Sequence, residues 1–216
     1  MNRPLLIYCY DAWCGWCYGF SRVIHTISSE FSPMMDVEVL SGGMILPENP
    51  VHIGVMADYI LKAIPVVEQT TGVTFGEDFM WHIRNSGDSD WYPHSEKPAV
   101  ALCVLKEMVP INPVSLAADL QFALHEEGRD LTDNEAYRHL LEKYGVDPAE
   151  FYEKLESDEY IDLAHQEFSL VRQLKVDGYP AVFVQTTPGK VHMVASGYTA
   201  ENDLRQRIQS VLNPNP

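Results

Sequence analysis

Two cysteines separated by two residues, in Cys14-Gly15-Trp16-Cys17, lie between a short apolar run and a helix-like stretch. The apolar run covers residues 5–10 and suits a strand that is buried on both faces, and the helix-like stretch covers residues 18–31. This order constrains the fold more than any other feature of the chain. It predicts an α/β protein with a parallel or mixed sheet, helices on each side, and the cysteine pair at the first strand-to-helix turn.

The spacing of the two cysteines favours thiol-disulfide exchange. A disulfide between Cys14 and Cys17 closes a loop too short to contribute much stability, and it is easily reduced. If the helix begins at Cys14, this thiol lies among unpaired backbone N–H groups at the positive end of the helix dipole, which favours the thiolate. We therefore predict that an exposed Cys14 attacks a partner disulfide and that a sheltered Cys17 resolves the mixed disulfide.

Two structural alternatives to a redox role are a zinc site and a pair of inert buried thiols. The zinc site is the stronger of the two, because a Cys-x-x-Cys knuckle can supply half of a tetrahedral ligand shell. The sequence has no second pair, and His25 belongs to no cluster that would complete a ligand set. We therefore expect no metal and no organic cofactor, only a redox-active disulfide between Cys14 and Cys17. The remaining cysteines, Cys9 and Cys103, fall in apolar patterns and are predicted to be packed core residues.

Composition limits the class of protein and of partner. The 216 residues are 46% hydrophobic and 21% charged, as in a folded globular protein. A net charge of −16, with 15 Lys and Arg residues that form no cluster, disfavours nucleic acid and anionic membrane surfaces as partners. No apolar stretch approaches the roughly 20 residues that cross a bilayer. Residues 1–4 do not begin an export signal, so we expect a cytoplasmic protein, in which a lone Cys-x-x-Cys is typically catalytic.

The rest of the chain is predicted to divide into strands at both ends and helices between them. Residues 36–40 form a second strand that ends in the turn Ser41-Gly42-Gly43. Residues 50–174 look helical almost throughout, with helices predicted over 53–70, 98–108, 113–126, 132–144, 148–155 and 159–174, and with caps at Thr132, Asp133 and Asp147. Residues 179–185 and 190–196 form a hairpin, and 200–212 a closing helix.

An aromatic cluster stands in the Gly, Asp and Ser-rich connection within the helical part. It consists of Trp81, Trp91 and Tyr92. We favour the interpretation that these rings tether a long loop over one in which they contact substrate.

The order of elements resembles a thioredoxin fold with an inserted helical domain, and the motifs resemble those of the DsbA family. The resemblance rests on Asp-Ala-Trp-Cys-Gly-Trp-Cys-Tyr-Gly at residues 11–19 and Asp-Gly-Tyr-Pro-Ala at residues 177–181. Within that family the chain is most similar to the FrnE-like predicted protein disulfide isomerases, whose pattern residues 41–43 and 95–99 also fit. This implies a discontinuous thioredoxin-like domain of residues 1–48 and 175–216 and an inserted helical domain of residues 49–174.

The resemblance also implies a substrate site opposite Cys14. A cis peptide at Pro180 would leave the backbone of Tyr179 free to pair with an extended substrate, and Gly15 and Trp16 would complete the contact surface. The partner would be a protein or a small-molecule thiol or disulfide. DsbA has a histidine between its cysteines that this chain lacks, so we do not expect a strongly oxidising potential.

Asp11 precedes Cys14 by three residues, and we favour a helix cap over proton transfer with Cys17 as its role. Two other functions stay open. One is a glutathione-binding enzyme of the kappa transferase or 2-hydroxychromene-2-carboxylate isomerase type, in which serine typically replaces Cys14. The other is a non-catalytic peptide-binding protein that would use Tyr179. The sequence sets neither the direction of electron flow nor the oligomeric state.

Overall fold

The structure is a computed structural model that describes residues 3–48 and 50–213. Residues 1–2 of the N-terminal segment 1–4, in which no export signal is predicted, lie outside the described residues. So do the predicted domain limits at residues 1, 49 and 216. The strands are β1 (Leu5–Tyr10), β2 (Asp36–Ser41), β3 (Ala181–Thr187) and β4 (Lys190–Ser196). The helices are α1 (Gly15–Phe31), α2 (Gly54–Thr71), α3 (Glu77–Arg84), α4 (Glu96–Met108), α5 (Pro113–His125), α6 (Arg138–Tyr144), α7 (Pro148–Leu155), α8 (Asp158–Gln173) and α9 (Glu201–Leu212), with a 3₁₀ turn, Asn134–Tyr137, before α6.

The strands form one mixed sheet in the order β2-β1-β3-β4, which confirms the predicted α/β fold class. β1 is parallel to β2 and antiparallel to β3, and β3 and β4 form the predicted hairpin. Cys9 near the end of β1 pairs with Ala181 at the start of β3. The segment after β1, which holds the cysteine pair, therefore lies at the same edge of the sheet as the segment before β3.

Both faces of the sheet are buried, as the uninterrupted apolar run in β1 predicts. Leu6 and Tyr8 belong to a large core that includes apolar residues of α1 and α9. Ile7 and Cys9 point to the other face, where they pack in a smaller cluster with Val171 of α8. Cys9 has no exposed surface, so its assignment to the core is confirmed.

The segment between β2 and β3 is helical, and its described residues form no strand. The prediction that Trp81 lies in a loop is wrong, because it belongs to α3. This short helix has Glu77 and Asp78 in its first turn and Arg84 in its last, an arrangement that suits the helix dipole. Trp91 is buried and packs edge-on against Trp13, with ring centroids 5.8 Å apart, so it does anchor the connection after α3.

The predicted helix over residues 132–144 is two elements rather than one, a 3₁₀ turn followed by α6. Asp133 caps the turn by accepting from the backbone N–H of Glu135, so the predicted cap at Thr132 is wrong. Asp147 caps α7 as predicted. In the described part of the chain, no helix is long and apolar enough to cross a membrane.

A part-buried ion network links the helical segment to the end of β2. The ammonium of Lys106 in α4 lies 2.5 Å from a carboxylate oxygen of Glu167 in α8 and 2.6 Å from one of Glu38 in β2. The other carboxylate oxygen of Glu167 accepts from the backbone N–H of Ser41 at 2.8 Å. Helices of the segment 49–174 thus hold the edge of the sheet beside the cysteine turn, although the division into two domains stays a prediction.

Candidate active site

The cysteine pair lies at the N-terminus of α1, and both thiols are free. Cys14 is the residue that caps the helix: its Sγ accepts from the backbone N–H of Cys17 at 3.4 Å. Cys17 has no exposed surface, as predicted, but only 7% of Cys14 is exposed, so the prediction of an exposed first thiol is wrong. The reason is long-range packing, because the loop before β3 and residues of α2 lie around Cys14.

The structure brings Tyr179 and Pro180 to Cys14. The peptide bond between them is cis, and the Cys14 thiol donates to the carbonyl oxygen of Tyr179 at 3.6 Å. The Tyr179 hydroxyl donates to the carbonyl oxygen of Gly42 at 3.0 Å. A Cβ at Gly42 would lie 2.2 Å from Cζ of Tyr179, so this close approach requires glycine. The loop before β3 is thereby tied to the end of β2 and faces the cysteine, while its role in substrate binding stays a prediction.

Asp11 is buried, and its carboxylate is held from three sides. It accepts from the backbone N–H of Trp13 at 3.0 Å, from the Ser95 hydroxyl at 2.9 Å and from the backbone N–H of Met44 at 2.8 Å. Because Cys14 caps α1, the prediction that Asp11 is the cap is wrong. Burial raises the pKa of Asp11 even though these hydrogen bonds favour the carboxylate.

The electrostatics of the second thiol favour its neutral form. Burial raises the pKa of Cys17 well above its usual range, and the hydrogen bond and the charge of Cys14 raise it further. The backbone N–H of Asp11 lowers this pKa, whereas the Asp11 carboxylate raises it. Cys17 must therefore lose its proton to a nearby base before it can act as a nucleophile.

Two residues of α5 hold the cysteine turn, and neither was predicted from the sequence. Gln121 donates from Nε2 to the carbonyl oxygens of Asp11, at 3.2 Å, and of Cys14, at 3.5 Å. His125 contacts the carbonyl oxygen of Ala12 through Nε2 at 3.1 Å. Burial lowers the pKa of His125 to about 3, so the neutral ring donates from Nε2. The sequence feature that could have indicated them is a pair of polar residues one turn apart in an otherwise apolar helix.

A narrow cavity of about 130 Å³ opens beside Cys14, between the cysteine turn and α2. Gly15 and Trp16, both predicted to contact substrate, lie in its wall. A Cβ at Gly15 would lie 3.3 Å from Cζ of Phe75, so the glycine lets this ring approach the turn. The full lining consists of Trp13, Cys14, Gly15, Trp16, Met44, Tyr59, Ile60, Ala63, Ile64, Val67, Phe75, Phe79 and His125.

The other two cysteines are buried core residues. Burial raises the pKa of Cys9 to about 12, and burial together with the charge of Glu167 raises that of Cys103 still further. Neither is a nucleophile in this state, as their assignment to the core predicts. Residues 3–48 and 50–213 contain no group of three or more His, Cys, Asp or Glu side chains that could hold a metal ion.

The sequence profile of the DSBA-like thioredoxin domain matches residues 6–209. The chain belongs to this family. DSBA-like proteins include thiol-disulfide oxidoreductases and isomerases, which agrees with the free cysteine pair at the helix N-terminus. A comparison with curated protein sequences finds no match.

Solved structures of this DSBA-like fold cover nearly the whole chain. A proposed protein disulfide isomerase from Nitrosomonas europaea is 24% identical, with a TM-score of 0.85 and 98% of each chain covered. The cytosolic disulfide reductase DsbM from Pseudomonas aeruginosa is 23% identical, with a TM-score of 0.77 and with 96% of this chain and 98% of that chain covered; its complex with glutathione gives 0.74. A 2-hydroxychromene-2-carboxylate isomerase is 13% identical, with a TM-score of 0.61 and with 96% of this chain and 94% of that chain covered. These likenesses establish the fold.

Proposed function

We propose that this protein is a thiol-disulfide oxidoreductase or isomerase in which Cys14 is the nucleophile and Cys17 the resolving thiol. One observation carries the proposal: the Cys14 sulfur caps α1 and accepts from the Cys17 backbone N–H, while the Cys17 side chain is fully buried. The N-terminus of a helix interacts favourably with negative charge, so this is the position that suits the attacking sulfur. The buried partner is reachable by Cys14 and closed to bulky substrates.

The reaction proceeds in two exchanges. The Cys14 thiolate attacks one sulfur of a substrate disulfide, a new S–S bond forms, and the other substrate sulfur leaves as a thiolate and takes up a proton. Cys17 then loses its proton and attacks the Cys14 sulfur, which releases the second substrate thiolate and leaves a Cys14–Cys17 disulfide. Two electrons pass from the protein to the substrate, and a thiol reductant such as glutathione must restore the pair. In isomerisation, a thiol of the substrate displaces Cys14 instead.

We propose that Asp11 is the base that accepts the proton of Cys17 during resolution. The charge of Asp11 acts on this thiol, and the pKa of its buried carboxylate is raised. General base catalysis of this kind is worth about 100-fold or more, so Asp11→Asn is expected to slow decay of the Cys14 mixed disulfide by about that factor. Single-turnover kinetics with a peptide disulfide measure this step, and circular dichroism checks the fold.

Ser95→Ala is the matched control for Asp11, because it removes one hydrogen bond to the carboxylate and keeps the base. Losing this bond raises the pKa of Asp11 further. The pH profile of the resolution rate should therefore still show the titration of a base, with its midpoint at a higher pH than in the wild type. Equal resolution rates in wild type and Asp11→Asn across the pH range would assign Asp11 a purely structural role.

The proposed function also implies where the substrate binds and in which compartment the protein acts. The backbone of Tyr179 would pair with an extended substrate beside Pro180, and Trp16 would add apolar contact. The chemistry needs no metal and no organic cofactor, since both electrons reside in the cysteine pair. We propose a cytoplasmic location, supported by the similar fold of the cytosolic reductase DsbM.

Equilibration across a glutathione redox series tests the proposed function. The fractions of reduced and oxidised cysteine pair are read by mass after alkylation, with Cys14→Ser as the control. The pair lacks the histidine of DsbA, so its potential is expected nearer to the thioredoxin value of about −270 mV than to the DsbA value of about −120 mV. A pair that never exchanges with glutathione or a dithiol would exclude the function.

A further inference from the structure

Tyr8 in β1 carries a hydroxyl group that is buried without a hydrogen-bond partner. Only 1% of this residue is exposed, and its oxygen is paired with no donor or acceptor among the residues that the structure describes. A buried tyrosine hydroxyl usually finds a partner, because leaving it unpaired destabilises the fold. Phenylalanine would supply the same ring without this cost, so folding alone does not account for a tyrosine here.

The ring of Tyr8 lies below the first turns of α1. Its centroid is 6.0 Å from that of the Phe20 ring. Phe20 and Cys17 are three residues apart in α1, on the same helix face, and neither has exposed surface. The side chain of Tyr8 therefore reaches the buried face of α1 that carries the second thiol of the cysteine pair.

Cys17 is the neighbour that acts most strongly on Tyr8. Burial raises the pKa of Tyr8 well above its usual range, and the charge of Cys17 raises it further, ahead of the charge of Cys14. A hydrogen bond with the Cys17 thiolate acts in the same direction. The neutral thiol is only a weak acceptor, which agrees with the unpaired hydroxyl in the reduced protein. Tyr8 thus keeps its proton and gains an acceptor only when Cys17 is charged.

We propose that the Tyr8 hydroxyl donates a hydrogen bond to the Cys17 sulfur when this becomes a thiolate, and thereby assists resolution of the mixed disulfide. The inference rests on the proposed function and adds a catalytic residue to it. In this step the proton of Cys17 passes to Asp11, and the Cys17 sulfur forms a bond to the Cys14 sulfur. The bond between Cys14 and the substrate breaks, and the substrate sulfur leaves with its electron pair. Tyr8 keeps its own proton throughout.

The size of the effect follows from two opposing consequences of this bond. A hydrogen bond to a charged group is worth roughly 10- to 100-fold in an equilibrium, so it raises the thiolate fraction of Cys17 by about that factor. A stabilised thiolate is also a weaker nucleophile, which cancels about half of the gain on a logarithmic scale. Tyr8→Phe is therefore expected to slow decay of the Cys14 mixed disulfide about 3- to 10-fold.

Single-turnover kinetics with a peptide disulfide separate the two exchanges in the wild type and in Tyr8→Phe. Acid quenching, alkylation and mass spectrometry should show that the mixed disulfide forms at a nearly unchanged rate and decays more slowly. Urea denaturation of the reduced proteins supplies a second measurement. The variant should be at least as stable as the wild type, because it loses a buried hydroxyl that is unpaired in that state.

Tyr10→Phe is the matched control, because it removes the same atom from the same face of β1. The Tyr10 hydroxyl is also buried and has no partner in the described part of the chain, and its ring centroid is 5.7 Å from that of Tyr8. The charges of Asp11 and Glu167 act on the pKa of Tyr10 ahead of that of Cys17. Tyr10 is not among the groups that donate to the Asp11 carboxylate, so this variant should resolve at close to the wild-type rate.

The outcomes separate the inference from the function on which it rests. Equal slowing in both variants, decay at the wild-type rate in Tyr8→Phe, or a Tyr8→Phe protein that is less stable than the wild type would overturn the inference. Each of these leaves the proposed function intact. A wild type that forms no mixed disulfide would overturn both.

Discussion

A Cys17→Ser variant is expected to accumulate a mixed disulfide between Cys14 and the substrate, whereas Cys14→Ser should lose exchange by more than about 1,000-fold. The reason is the separation of roles at the N-terminus of α1. The Cys14 sulfur caps the helix, and the fully buried Cys17 can reach only the disulfide that Cys14 has already formed. Without Cys17, the first exchange proceeds and the second cannot.

Acid quenching, alkylation and mass spectrometry of the intact protein measure both effects. The Cys17→Ser protein should gain the mass of one substrate thiol within the first turnover, and peptide mapping should place it on Cys14. Cys103→Ala is the matched control, since this thiol is buried in α4, where it donates to Glu167, and its removal should leave the exchange rate unchanged. A substrate adduct on Cys103, or a Cys17→Ser protein that turns over like wild type, would contradict the assignment.

Local patterns in the sequence were enough to predict the strands and the turn that position the site. The cysteine spacing, the apolar run of β1 and the hairpin each depend on neighbouring residues, and the structure contains all three, with β3 beginning two residues later than predicted. The short helix α3 was missed because its eight residues hold too few turns for a clear period, and Gly, Asp and Ser follow it.

Contacts between distant parts of the chain could not be predicted in the same way. A buried polar group needs a partner, but tertiary packing decides which one it finds. Asp11 accepts from Ser95, which is 84 residues away in the sequence, instead of capping α1. Gln121 donates to the backbone carbonyl of Asp11, from which it is separated by 110 positions in the sequence. The same packing buries Cys14, whose exposure the cysteine spacing alone could not set.

His125 is the buried titratable residue that should make the stability of this protein sensitive to acid. It lies among the rings of Tyr18, Phe75 and Phe79, and its Nδ1 has no hydrogen-bond partner among the residues that the structure describes. Burial lowers its pKa from 6.5 to about 3 in the folded state. Between these two values the unfolded chain binds a proton at this ring that the folded protein does not, so folding is progressively disfavoured as the pH falls below 6.5.

We therefore expect the free energy of unfolding of the wild type to fall by about 2 kcal/mol more than that of His125→Gln when the pH is lowered from 7.5 to 5. Glutamine cannot titrate, yet its amide can still donate to the carbonyl oxygen of Ala12, so the variant keeps the link from α5 to the cysteine turn. Urea denaturation followed by circular dichroism at the two pH values measures the difference, and carboxylates that titrate alike in both proteins cancel. Parallel pH dependence in the two proteins would mean that His125 takes up its proton in the folded state, and that its ring sits in a far more polar setting than three aromatic neighbours provide.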